Sequence, residues 1–110
     1  MGLFTGFKKS KLEKKFRKNE WVIIQSIPFL QFEQLIVEHV DSGWEIEDDY
    51  ERLKPETKKW ECELRKGTSI LTCIWISQHQ GLVYGPERVL SNLADKLNIA
   101  SSSNLTYTWF

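Results

Sequence analysis

The sequence predicts a single α+β domain: one mainly antiparallel sheet with two helices packed on one face, in the order β-α-β-β-β-β-α-β after a basic N-terminal arm. Three observations carry this reading. Two separated segments repeat apolar residues at helical spacing, around Phe32 and around Leu90. Several runs alternate apolar and polar residues with period two. Two of those runs flank Gly67-Thr68 and oppose like residues when folded onto each other. A chain of 110 residues suits one domain. Residues 1–19 form the arm and residues 20–110 the body.

The arm places Leu3, Phe4, Phe7, Leu12 and Phe16 among lysines. Steps such as 12 to 16 suit a helix, but Gly2 and Gly6 weaken its first turns. A partly helical or disordered basic amphipathic segment is expected. Trp21-Val22-Ile23-Ile24 then opens a strand that is apolar on both faces, and Pro28 ends it. Phe29, Phe32, Leu35, Ile36, His39 and Val40 mark the first helix, closed by Gly43. Trp44, Ile46 and Tyr50 alternate with Glu45, Glu47, Asp49 and Glu51, a strand with an aromatic inner and an acidic outer face. Asp48 falls on the wrong face, so the strand has ended there or bulges. Residues 52–58, with Lys54-Pro55, read as a loop.

Residues 59–77 read as a hairpin. A two-residue turn at Gly67-Thr68 sets Trp60 opposite Trp75, Cys62 opposite Cys73 and Leu64 opposite Leu71. A Lys66-Gly67 turn is the competing register; it keeps each face but offsets the partners by two. Leu82-Val83-Tyr84 is a short strand, and Pro86 begins a helix whose buried stripe is Val89, Leu90, Leu93, Ala94 and Leu97. After Ser101-Ser102-Ser103, Leu105, Tyr107 and Trp109 alternate with threonines as a last strand.

The formal net charge of zero is a cancellation. Lys8, Lys9, Lys11, Lys14, Lys15, Arg17 and Lys18 give the arm +6 against Glu13, and the body carries −6. Such asymmetry points to an interaction segment rather than a catalyst. The carboxylates Glu45, Glu47, Asp49 and Glu51, joined by Glu61 and Glu63 if the strands are neighbours, form an acidic sheet face. The arm is its natural counterpart, in the same subunit or a second one. The strand around Ile74 is apolar on both faces, so Ile70, Ile74 and Ile76 need a cover and are apolar interface candidates. The arm's Leu3, Phe4 and Phe7 or another subunit supply it.

No catalytic or cofactor-binding motif is visible: there is no nucleophile elbow, P-loop or dinucleotide fingerprint. Cys62 and Cys73 read as small apolar fillers of an inner sheet face, although opposed strand positions also lie within disulfide reach. With His39 and His79 they lack the compact spacing of a zinc site. His39 complements a helix C-terminus. Gly85-Pro86-Glu87 is a weak anion-binding signal, and the acidic run lacks the calcium-loop pattern. No apolar run exceeds four residues, no leader of secretory type is visible, and two thiols suit a reducing cytoplasm. The myristoylation pattern fails at Gly6.

The expectation is therefore a non-enzymatic interaction module without cofactor or metal, self-associating through its apolar sheet face or its arm, or binding another protein. The first alternative is a cytoplasmic protein attached peripherally to an anionic membrane. Leu3, Phe4 and Phe7 then insert and the lysines face the headgroups. A small enzyme of unidentified type is the second. Nucleic acid is disfavoured because the acidic body repels it, and no small-molecule substrate is evident.

Overall fold

The structure, a computed structural model, describes residues 2–46, 53–54, 56–77 and 80–102, with side chains from residue 10 onward. It is an α+β fold in which a five-stranded antiparallel sheet is flanked by three helices. The elements are α1 (Gly2–Asn19), β1 (Trp21–Ile27), α2 (Phe29–Asp41), β2 (Glu45–Ile46), β3 (Lys59–Lys66), β4 (Ser69–Ile76), β5 (Gln80–Pro86) and α3 (Glu87–Leu97). Across the sheet the strands run β1-β5-β4-β3-β2.

Two features correct the expected architecture. The described order is α-β-α-β-β-β-β-α, and there are three helices rather than two. The segment read as an arm is helical from Gly2 to Asn19. It packs on the sheet face opposite α2 and α3. A lone helix with so few apolar residues is marginal in water, and packing supplies what propensity does not. Leu12 and Phe16 meet an apolar patch made by Ile23, Ile74 and Leu82, with Trp21, Ile76 and Tyr84 around it. That patch joins β1 to the β4–β5 pair far along the chain, so no local pattern announces it. The strand expected at Leu105–Trp109 lies outside the described residues. Ser102, just before it, bridges Ile23 on the free edge of β1.

The hairpin follows the like-on-like register: Trp60 pairs with Trp75, Cys62 with Cys73 and Leu64 with Leu71, with Gly67-Thr68 as the turn. Strand β1 runs on to Ile27 through an irregularity after Ile24, with Ser26 at φ 60. Pro28 caps the start of α2, which buries Phe32, Leu35 and Ile36. Pro86 stands just before α3 rather than inside it. Leu90, Leu93 and Ala94 turn inward, and left-handed Asn98 ends the helix.

The main core lies between these two helices and the inner sheet face, where Ile24, Ile27, Leu64, Leu71, Cys73 and Val83 are essentially without solvent contact. Phe32 sits edge-on to Trp60 and tilted against Trp75. The smaller second core beneath α1 completes a three-layer arrangement: helix, sheet, helix pair.

Candidate functional site

Strand alternation sends Lys59, Glu61, Glu63 and Arg65 of β3 to the outer face, with Glu45 of β2 opposite Arg65. The expected neighbourhood of the two acidic strands is thus present, at Glu45 and Ile46. Glu47, Asp49 and Glu51 lie outside the described residues. Within the described residues the face is mixed rather than uniformly acidic. Three carboxylates share it with two cations, and Arg65 donates to Glu63 at 3.1 Å.

Among the described residues, no arm lysine pairs with these carboxylates. The arm lies on the apolar half of the same outer face, over β1, β5 and β4, through Leu12 and Phe16. Phe16, Trp21 and Tyr84 form an aromatic triangle with ring centroids 5.3 to 5.7 Å apart. It pins the C-terminal end of α1 to β1 and β5. Ile74 is consequently 2% exposed and is an internal residue rather than a free surface. Ile76 is half-buried at the edge of the same patch, and Ile70 alone of the three is exposed, at 37%.

The basic residues of α1 take the opposite role. Lys11, Lys14, Lys15, Arg17 and Lys18 are all exposed. Among the described residues none of them forms an ion pair with a carboxylate. At about 100° per residue, Lys11, Lys14, Lys15 and Lys18 share one side of the helix, roughly 140° round from Leu12 and Phe16. The side chains of Lys8 and Lys9 lie outside the described ones. The helix therefore separates two roles: Leu12 and Phe16 hold it to the sheet, and four lysines share an outward stripe.

The remaining sequence candidates lie away from α1. Cys62 and Cys73 are buried and face each other. The bond from the Cys73 thiol to Cys62, with burial, pushes that thiol well above the ordinary range. His39 donates from Nδ1 to the Leu35 carbonyl at 2.7 Å and meets Trp44 edge-on at 5.3 Å. His79 lies outside the described residues. No cluster of three or more metal-ligating side chains occurs among the described residues.

Sequence reasoning missed a cleft on the other side of the molecule. It lies between the end of α2, Trp44 and α3, with a volume of about 530 Å3. Arg88, Asn92 and Lys96 stand four residues apart and so project along one side of α3. Their four-residue spacing is a signal in the sequence, carried on the polar side of a helix whose apolar stripe dominates its pattern.

No protein-family model, curated protein or solved structure matches the chain. Among the described residues no helix is long and apolar enough to cross a membrane.

Proposed function

We propose that the protein is a non-enzymatic module that adheres to an anionic membrane surface through α1. The supporting observation is the division of labour on that helix. Phe16 and Leu12 anchor it to the sheet, while Lys11, Lys14, Lys15 and Lys18 are exposed on its outward side. The sheet thus acts as a rigid backing that turns one stripe of the helix outward. Each lysine near an anionic leaflet contributes about 1 kcal/mol, so the stripe alone gives reversible attachment. Leu3, Phe4 and Phe7 of the same segment add an apolar component that a salt wash does not remove.

Flotation with vesicles tests this reading. The full chain is expected to float with phosphatidylserine-rich vesicles and to remain behind with phosphatidylcholine alone. Charge reversal at Lys11, Lys14 and Lys18 is expected to abolish flotation while circular dichroism stays unchanged. Equal flotation with both vesicle types, or with the reversed variant, sinks the proposal.

Self-association is the second reading, and one observation favours it. Helix α2 exposes Leu30 at 76%, Val37 at 49% and Val40 at 39%. Leu30 and Val37, seven residues apart, lie on nearly the same side of the helix. Light scattering of the wild type beside Val37→Glu separates the two readings: a dimer lost in that variant belongs to α2, and a monomer leaves α1 as the interaction element.

A further inference from the structure

The cleft between α2 and α3 has the construction of a small-ligand site. One wall is Glu38 and His39 at the end of α2, followed by Ser42 and Trp44. The other is Arg88, Val89, Asn92, Leu93 and Lys96 of α3, with Ser69 at one end. Its volume of about 530 Å3 lies within the usual range for small-molecule pockets.

The charges in it are not equivalent. Lys96 is paired with Glu38, and this bond, with a second from Gln34, holds the Glu38 carboxyl below its usual range. Arg88 has no carboxylate partner among the described residues. It donates one hydrogen bond, from Nη2 to the Ser69 hydroxyl at 2.8 Å. That contact steadies the guanidinium and leaves other N–H groups free. A guanidinium fork suits the two oxygens of a carboxylate or phosphate. Beside it the walls are apolar at Val89, Leu93 and the Trp44 ring, whose angle is fixed by His39. His39 in turn is held through Nδ1 by the Leu35 carbonyl and lines the same cleft. An unpaired cation next to an aromatic and aliphatic wall selects for charge and shape together.

We propose that this cleft binds a small organic anion, with its carboxylate or phosphate on Arg88 and its apolar body against Trp44, Val89 and Leu93. The site is separate from the outward stripe of α1, which lies on the other sheet face.

Titration of the full-length, 15N-labelled chain tests it, with benzoate and phenyl phosphate as probes and phenol and inorganic phosphate as halves of each. Saturable shifts are expected at the α3 amides and the Trp44 indole N–H with at least one whole probe. The two halves should bind at least tenfold more weakly. Whichever whole probe binds tighter identifies the headgroup. Arg88→Gln is expected to weaken binding at least tenfold, and Trp44→Leu, which leaves the cation in place, to weaken it as well. The absence of saturable shifts, unchanged binding in Arg88→Gln, or inorganic phosphate binding as tightly as phenyl phosphate each overturns the proposal.

Discussion

The ring of Phe32 lies directly on the bare α-carbon of Gly81. A Cβ built at position 81 would stand 2.7 Å from Phe32 Cγ, closer than real side chains come. Phe32 is wholly buried, so its ring has nowhere to retreat. The pairing locks α2 to β5 at one point. Gly81→Ala is therefore expected to cost about 1–3 kcal/mol by overpacking, and Phe32→Ala about 3–5 kcal/mol by leaving a cavity. The two changes should be non-additive, because the overpacking at position 81 disappears once the Phe32 ring is gone. Urea unfolding of both single variants and the double variant measures this.

Phe16 is the side chain on which α1 depends. Its replacement by alanine is expected to cost about 3–5 kcal/mol at most, and to act locally first. Hydrogen exchange should accelerate through α1 while β3 and β4 keep their protection. Removal of residues 1–19 goes further, since it uncovers Ile23, Ile74 and Leu82 together. That fragment is expected to associate on size exclusion, where the full chain with charge-reversed lysines does not.

Stability should fall on the alkaline side, and the sign follows from burial. Burial is the main force raising Tyr84, partly opposed by a bond from Thr72, with Glu61 and Glu63 adding to the rise. A phenol whose folded value exceeds its unfolded value near about 10 stabilises the fold fully below that pH. The contribution is lost as pH rises through the interval up to the folded value. Cys73 acts in the same sense from about pH 8.5 upward. The urea midpoint is expected to fall as pH rises above about 8.5 and further above about 10, the unperturbed thiol and phenol values. Tyr84→Phe should drop less than the wild type.

The buried thiols offer a separate readout. Iodoacetamide at neutral pH should label Cys62 and Cys73 only as fast as the hairpin opens. Denaturant should raise both to the labelling rate of a free thiol. Rapid native labelling of Cys73 would contradict its burial and its bond to Cys62.

Local pattern carried most of the fold because most elements are defined by neighbours in sequence. The stripe of Phe32, Leu35 and Ile36, the opposed Trp60 and Trp75, and the alternation through Leu64 each follow from one segment or one hairpin. The seating of α1 was not legible. Phe16 finds its place only after Ile23, Ile74 and Leu82 have been brought side by side by strand order, and strand order is a global property. The charged site was legible as composition but not as geometry. Lysine count marked the arm as an interaction segment, yet only the packing of Leu12 and Phe16 decides which lysines face outward. The cleft lined by Arg88 and Trp44 joins residues 44 apart, and no pattern within α3 alone points to Trp44.

The separation between Phe16 and its partners also has a consequence in time. On the ribosome, α1 is made before the strands it packs on, and Leu82 is added 66 residues after Phe16. At usual elongation rates this leaves about 3–13 s before the strand carrying Leu82 is made. During that interval both stripes of the helix are uncovered, and Phe16 competes for whatever apolar surface the nascent chain meets. Completion of β5 ends the competition by giving Phe16 and Leu12 their own patch. The finished protein thus exposes a single stripe where its growing chain exposed two.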